Sequence, residues 1–183
     1  MLQQTSHRQQ SAAFPVVAAA LTLATAAAAQ EASPGIKAFR EGRYADAVNL
    51  LRAESGTEAR AHLAASLVRL GRAASQSDEK RTHFSEAETA ANEALAASAG
   101  HAVAAEALGE ALVSLDKTDD AIAKMSAVLS ARSDVAYAYY WRGKAYNAKR
   151  QTARMVDDFQ AVLQLAPNAP EAQAVRMLLA ALQ

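Results

Sequence analysis

An offset of 34 residues that recurs along the chain constrains its fold more strongly than any other sequence feature. Gly109 and Gly143 are related by this offset, and each interrupts a stretch rich in alanine and leucine. Four further pairs of apolar residues have the same offset: Leu112 and Tyr146, Met125 and Phe159, Val128 and Val162, and Leu129 and Leu163. A fixed period of this length indicates stacked supersecondary units, because one such unit cannot bury its apolar face alone.

Each unit of this length is predicted to contain two helices. No proline occurs between Gly35 and Ala166, and residues with strong helix preference dominate that region. In the last unit, apolar periodicity predicts a first helix over Ala136–Lys149 and a second over Thr152–Leu165. The sequence shows no sustained alternation of β-branched residues, so the chain is predicted to be an all-α protein.

Glycine positions predict where helices end and where they approach one another. Gly109 and Gly143 lie inside predicted helices, where glycine costs about 1 kcal/mol relative to alanine. We therefore expect a neighbouring helix to pass close to each of them. Four other glycines are predicted to lie at helix ends: Gly42, Gly56, Gly71 and Gly100.

The unit that begins at Ala136 resembles a tetratricopeptide repeat. The pattern of that family has aromatic residues at the fourth, eleventh and twenty-fourth places, small residues at the eighth, twentieth and twenty-seventh, and proline at the thirty-second. In order along the unit, these places hold Tyr139, Gly143, Tyr146, Met155, Phe159, Val162 and Pro167. Met155 and Val162 are larger than the pattern prefers, so we expect the two helices of this unit to lie slightly farther apart.

The resemblance covers about residues 35–183, in three to four repeats, and implies an α-solenoid of stacked helical hairpins that forms a right-handed superhelix. The domain is predicted to span residues 30–183. Its approximate parts are repeats at 35–55, 57–99, 102–135 and 136–169, followed by a capping helix at 170–183 with Pro170 in its first turn. The first helix of the first repeat is shortened to about Gly35–Glu41. Residues 72–83 make the second repeat longer than the pattern requires, and they form either a loop or an extension of its helices. Their lack of glycine and proline favours the extension.

Residues 1–29 have the layout of a secretory signal peptide. Arg8 provides one positive charge, an uncharged apolar run follows, and small residues at Ala27, Ala28 and Ala29 form a cleavage site of the A-x-A type. Cleavage would release an exported protein, periplasmic or secreted, and the absence of cysteine excludes a lipidated N-terminal cysteine. The alternative is a retained membrane anchor, although its alanine content makes the segment weakly apolar.

No reaction centre is predicted. His62, His83 and His101 lie on different segments and lack zinc-binding spacing, and no phosphate-binding or nucleophile motif occurs. Glu106 and Glu110 share a helix face, and we expect them to form an acidic strip that is solvated or faces a partner. We therefore predict no enzyme activity, no cofactor and no metal site. A hydrolase or metal enzyme would require a histidine to converge with Glu106 or Glu110.

Charge gives no indication of nucleic acid as a partner, because 19 basic and 19 acidic residues balance one another. The resemblance instead implies a concave groove, lined by the first helices of the repeats, that binds a peptide or protein segment. Carried onto this sequence, the groove-facing places include Tyr137, Tyr140, Lys144, Asn147, Glu106, Glu110 and Arg69.

Two alternatives for the aromatic residues remain open. Tyr137 and Tyr140 either contact a ligand or pack on the final helix, and Trp141 is expected to pack against a neighbouring helix. Lys144 and Asn147 do not clearly reproduce the basic–asparagine clamp with which some members of the family bind chaperone tails. That function is therefore not carried over.

The function predicted from the sequence is that of a non-catalytic, exported interaction module. It would serve as an adaptor or assembly factor for an envelope or secretion complex, and a periplasmic location is implied by the resemblance to exported bacterial repeat proteins. The alternative is a structural or self-associating envelope component, tethered to the membrane if the N-terminal segment is retained and free of it if that segment is cleaved.

Overall fold

The structure is a computed structural model, and it describes residues 33–182. The predicted signal peptide, residues 1–29, lies outside the described residues. Residues 33–182 form nine helices and no strand. The helices are α1 (Pro34–Arg40), α2 (Tyr44–Ala53), α3 (Thr57–Ala73), α4 (Ser77–Ala97), α5 (Ala102–Ser114), α6 (Thr118–Ala131), α7 (Ala136–Ala148), α8 (Thr152–Leu165) and α9 (Ala172–Ala180). None of these helices is both long and apolar enough to cross a membrane.

The first eight helices form four hairpins in chain order, and α9 packs against α8. The first helices of successive hairpins, α1, α3, α5 and α7, contact one another directly. Each second helix contacts the first helix of the next hairpin, but no two second helices of the described chain come close to one another. The first helices therefore form the inner layer of the stack, and the predicted α-solenoid is confirmed.

Helix boundaries in the last hairpin agree with the sequence. Helices α7 and α8 cover the two predicted segments to within one residue, and α1 has the predicted short length. The extra residues 72–83 extend the helices, as their composition favoured. Helix α3 continues to Ala73, α4 starts at Ser77, and only three residues form the turn between them.

Gly109 and Gly143 are sites of close helix approach, as predicted. A Cβ atom added at Gly109 would lie 2.5 Å from the Cβ of Trp141, and one added at Gly143 would lie 2.6 Å from Cε1 of Phe159. These contacts join α5 to α7 and α7 to α8. Trp141 therefore packs against a neighbouring helix, as expected, and its side chain is almost fully buried.

The prediction that Gly71 ends a helix is wrong. Gly71 lies inside α3, because the extension carries that helix on to Ala73. Its missing side chain serves packing, since an added Cβ would lie 3.1 Å from Cζ of the buried Phe84 on α4.

Similar turns join the two helices of three hairpins. Gly42, Asp116 and Arg150 have positive φ angles of 76°, 59° and 57°. In each turn, the amide of the next residue donates to a carbonyl five positions earlier, as in Arg43 to Ala38. This is the arrangement of the left-handed C-terminal helix cap, which glycine adopts without a steric cost.

The capping helix begins slightly later than predicted. Pro170 and Glu171 lie in turns before α9, so Pro170 is not part of the first helical turn. Val175 of α9 is buried in a cluster with Tyr146 and Phe159. This cluster closes the C-terminal end of the apolar core.

Candidate partner-binding face

All seven residues predicted to face the groove lie on α3, α5 and α7, the inner layer of the stack. Their ion pairs, hydrogen bonds and electrostatic interactions join five of them with two further residues. We call this set the groove cluster, and its members are Arg69, Arg72, Glu106, Glu110, Tyr137, Tyr140 and Glu171.

Lys144 and Asn147 lie outside the groove cluster. Both are exposed residues in the C-terminal half of α7. No ion pair or side-chain hydrogen bond within residues 33–182 joins them to the cluster. They remain predicted contact residues on the same helix as Tyr137 and Tyr140.

Two arginine–glutamate pairs connect α3 to α5. Arg72 donates through Nε and Nη2 to both carboxylate oxygens of Glu110. Arg69 Nη2 lies 3.8 Å from Oε1 of Glu106, beyond ordinary hydrogen-bond distance. The forked guanidinium contact is the stronger of the two, because it satisfies both oxygens at once.

Glu110 differs from the solvated or partner-facing strip expected from the sequence. It is 5% exposed and its charge is neutralised by Arg72. The neighbouring helix α3 covers the side chain of Glu110. The i, i+4 spacing of Glu106 and Glu110 shows only that they share a helix face, so it could not predict this burial. Glu106 is the more accessible of the two, with 28% of its side chain exposed.

The negative charge of Glu106 is only partly compensated by its surroundings. Burial raises the pKa of its carboxyl above the ordinary value, and the attraction of Arg69 does not offset this effect. The negative charges of Glu171 and Glu110 act in the same direction. At neutral pH the ionised carboxylate therefore costs free energy in the folded protein.

Tyr137 connects the inner face to the start of the capping segment. Its hydroxyl donates a hydrogen bond of 3.2 Å to Oε2 of Glu171. Burial, together with the charges of Glu106 and Glu171, raises the pKa of Tyr137 to about 12. The phenol therefore stays protonated and remains a hydrogen-bond donor at any physiological pH.

Tyr140 lies one turn further along α7 and is fixed by aromatic neighbours. Its ring centroid lies 5.0 Å from that of Trp141, in an edge-on arrangement, and 6.1 Å from that of Phe159. Burial and the charges of Glu171 and Glu110 raise the pKa of its hydroxyl. Tyr140 is only partly buried, so part of a rigidly held ring remains available to solvent.

A narrow apolar crevice of about 10 Å³, room for about one water molecule, lies beside the two tyrosines. Its lining residues come from α7, α8 and the segment before α9: Ala136, Tyr137, Tyr140, Val162, Ala166, Ala169 and Glu171. Glu171 is the charged member of this set. Tyr137 contacts the capping segment through Glu171, and Tyr140 packs against the cluster that contains Val175 of α9. Contact of the two tyrosines with a ligand stays a prediction.

Two members of the groove cluster were missed by the sequence analysis. Glu171 lies 34 residues after Tyr137, so the repeat offset applied to the capping segment would have found it. Arg72 lies one helical turn after Arg69, in the extension where the repeat pattern gives no positions. Arg72 reaches Glu110 because α3 continues to Ala73, and this continuation is seen only in the structure.

His62, His83 and His101, the histidines of the part of the chain that the structure describes, do not converge with Glu106 or Glu110. His101 Nε2 lies 3.0 Å from Oε1 of Glu58, and His62 Nδ1 lies 3.5 Å from the other oxygen of that carboxylate. His101 also caps α5, since its Nδ1 accepts from the amide of Ala104. His83 Nε2 lies 3.7 Å from Oε1 of Glu79. Residues 33–182 contain no group of three side chains suited to hold a metal ion.

The fold is that of solved tetratricopeptide-repeat proteins. A thermophilic protein of this kind from Thermus thermophilus, TTC0263, has a TM-score of 0.65 at 17% identity, over 81% of this chain and 78% of that one. YrrB, described as having an unusual peptide-binding site, has a TM-score of 0.60 at 16% identity, over 78% and 71%. MamA from Desulfovibrio magneticus RS-1 has a TM-score of 0.56 at 21% identity, over 74% and 73%. No family model matches the sequence, and no curated protein matches it.

Proposed function

We propose that this protein is a non-catalytic interaction module that captures a peptide or protein segment on its inner layer of helices. The groove cluster carries the proposal. It places two partly exposed tyrosines beside charged groups on adjacent first helices, and tyrosine and arginine are enriched among residues that dominate binding energy. YrrB, a protein of the same fold, is described as having a peptide-binding site, which supports peptide capture as a role for this protein.

The proposed surface is preorganised. Tyr140 is held by Trp141 and Phe159, and Arg72 is held by Glu110. Side chains that are already ordered lose less conformational entropy when a ligand binds, which leaves more of the contact energy as affinity. The inner layer continues across α3, α5 and α7, so it offers a continuous face to an extended or helical segment.

We further propose that the module is exported and acts as an adaptor or assembly factor in the cell envelope or outside the cell. This part depends on the signal-peptide layout of residues 1–29. N-terminal sequencing of the exported protein tests it, with a mature start at or near Gln30 expected. An intact N-terminus on a protein that stays with the membrane would instead support the tethered alternative.

Replacement of two groove residues tests the binding role. Tyr140→Ala combined with Lys144→Ala should weaken capture of the native partner, identified by crosslinking in the envelope, and leave the helical content unchanged. The matched control is Asp120→Ala combined with Lys124→Ala, which changes two exposed residues of the second helix α6. Equal capture by wild type and the groove variant would contradict the assignment.

A structural, self-associating role is the second candidate, and one observation favours it. Leu165, Met177 and Leu182 leave 44%, 67% and 51% of their surface exposed at the C-terminal end of the array. Exposed apolar side chains of this size mark association surfaces when they lie together. Light scattering of the purified protein and of Met177→Glu distinguishes the cases, because a self-associating array should lose mass in the variant.

A further inference from the structure

We propose that two copies of this protein associate through the outward side of their capping helices, with each α9 packed against the α9 of the other copy across a two-fold axis. The inference rests on the second candidate function, self-association, and specifies the surface, the occupant and the symmetry of that contact. It is independent of peptide capture by the inner layer.

The outward side of the capping helix is apolar. Ala174 and Met177 of α9 and Ala181 at its C-terminal cap are exposed, and Leu178 is partly exposed. Their spacing of three and four residues places these four residues, which we call the α9 patch, on one side of the helix. Met177 leaves 67% of its surface exposed, the highest value among the large hydrophobic residues that the structure describes. The terminal unit of a repeat array ordinarily has a polar outer face, and α9 lacks one.

Charge is absent from the α9 patch. Residues 172–182 include one charged residue, Arg176. Its Nη2 donates a hydrogen bond of 2.7 Å to the carbonyl oxygen of Pro167. A charged surface that covered the patch would lose hydration without gaining an opposite charge. The surface that complements the patch is therefore itself apolar and uncharged.

The repeat register identifies the side of α9 that has no covering helix. Gly143 of α7 faces its own second helix α8, since an added Cβ would lie 2.6 Å from Cε1 of Phe159. The residue 34 places after Gly143 is Met177. No second helix follows α9 within residues 33–182, so Met177 lies on the side that a second helix covers in α7. A helix of another molecule fits this place.

A second copy offers a matching surface through its own α9. Outside the C-terminal end, the large hydrophobic residues described as exposed are limited to Leu50 of α2. The N-terminal end is charged, because Lys37 and Arg40 of α1 are exposed and Arg43 forms an ion pair with Glu41. A head-to-tail contact would place these charges against the α9 patch, whereas a two-fold contact pairs the patch with itself.

The size of the contact sets its strength. Helix α9 has nine residues, and one side of it presents less than the about 800 Å² that a standard interface buries on each partner. We therefore expect a dimer that dissociates on dilution through the micromolar range. Such a dimer carries two inner layers and so presents two copies of the groove cluster.

Single-cysteine variants test the two-fold contact, because the sequence contains no cysteine. Residues near a two-fold axis meet their own copies, so purified Met177→Cys should form disulfide-linked dimers on mild oxidation. Leu50→Cys is the matched control, since it places a thiol at an exposed hydrophobic position of the first hairpin, and it should stay monomeric. In an equimolar mixture of the two variants, a predominance of mixed disulfides would show a head-to-tail contact and overturn the inference.

Light scattering over a range of concentrations measures the unmodified contact. The wild type should approach twice the monomer mass, and Met177→Glu should raise the dissociation constant about ten-fold or more, because the two-fold axis brings two carboxylates into an apolar contact. Tyr140→Ala combined with Lys144→Ala should dimerise as the wild type does. Circular dichroism of each variant, with an unchanged helical signal expected, separates lost association from lost folding.

Two results of the scattering experiment would contradict the proposed dimer. A wild type that stays monomeric at all concentrations would overturn the inference and leave peptide capture by the inner layer intact. A dimer that Met177→Glu retains and the Tyr140 and Lys144 double variant loses would place the contact on the inner layer, and would overturn the α9 contact as well.

Discussion

The hydroxyl of Tyr137 donates to the carboxylate of Glu171, which occupies the equivalent place in the repeat register 34 residues later. The contact joins the last complete hairpin to the segment that begins the capping helix. It also places a carboxylate of the cap at the edge of the inner face. The capping segment thus has a second role beyond covering the apolar end of the core, because it contributes a polar group to the proposed binding surface.

The close contacts at two helical glycines lead to the first prediction. Gly109→Ala should lower the free energy of unfolding by about 1–3 kcal/mol, because the new methyl group would overlap Cβ of Trp141, an atom that moves only with its backbone. Gly71→Ala is the matched comparison, since both substitutions gain helix propensity but the methyl group at Gly71 would meet the Phe84 ring at 3.1 Å. Urea titration measures both. A loss at Gly109 no larger than that at Gly71 would contradict the packing argument.

Substitutions by glycine at the two non-glycine turn residues with positive φ should stabilise the protein. Arg150→Gly should raise the free energy of unfolding by about 0.5–1 kcal/mol, because Arg150 has a φ of 57° that glycine adopts without strain. Asp116→Gly should act similarly at the equivalent turn. Ala148→Gly, in the ordinary helical conformation at the end of α7, is the control and should destabilise. Thermal unfolding distinguishes a gain from a loss of stability. A less stable Arg150→Gly variant would show that the Arg150 side chain contributes more free energy to folding than its left-handed backbone costs.

The buried ion pair of α7 and α8 should be sensitive to the loss of one partner. Arg142 donates to both oxygens of Asp158 at 2.9 and 2.7 Å, and it also contacts the Ser126 hydroxyl of α6. Arg142→Met should therefore cost about 3 kcal/mol, because it leaves the buried Asp158 carboxylate without its cation.

Arg52→Met provides the control for Arg142. The pair of Arg52 with Glu86 is exposed, so its loss should change the free energy of unfolding by about 0.5 kcal/mol or less. Addition of Asp158→Leu to Arg142→Met should recover part of the lost stability, because no unpaired charge then remains in the core. Equal effects of the two arginine substitutions would show that burial of Asp158 has no energetic consequence.

The unfavourable burial of the Glu106 carboxylate should make the free energy of unfolding depend on pH. The raised pKa means that the folded protein binds this proton more tightly than the unfolded chain does. The resulting stabilisation is complete below the ordinary glutamate pKa and is lost as the pH rises through the folded value. Glu106→Gln removes that loss, so the stability of the variant relative to wild type should increase from acidic to neutral pH.

Chemical denaturation at a series of pH values measures this difference. Glu93→Gln, which changes an exposed carboxylate of α4, is the control for general charge effects. A relative stability of Glu106→Gln that falls as the pH rises would mean that Arg69 stabilises the carboxylate more than burial destabilises it.

The hairpin architecture was predictable from the sequence because it depends on periodic packing. The 34-residue offset, the glycines at close contacts and the lack of internal proline all reflect constraints that act within one or two neighbouring helices. The helix ends of α7 and α8 followed directly. Gly71 was assigned wrongly because a glycine near a helix end and a glycine at a helix contact have the same sequence signature.

The candidate site was less predictable because its charges are paired across helices that the repeat pattern does not align. The spacing of Glu106 and Glu110 showed that they share a face. It contained no information about Arg72, which lies beyond the pattern in the extended part of α3 and buries Glu110. The accessibility of Glu110 on the inner face therefore depends on the extra length of α3. The structure was needed to show which residue that extra length brings to Glu110.

Site-specific photocrosslinking in the native cell tests the central claim most directly. A photoreactive phenylalanine analogue at position 140 of α7, on the inner layer, is compared with the same analogue at position 124 of α6, where Lys124 is exposed. The proposed function predicts a discrete crosslinked product from position 140 that is absent from position 124. Crosslinks from position 124 alone, or the same product from both positions, would contradict capture of a partner by the inner layer.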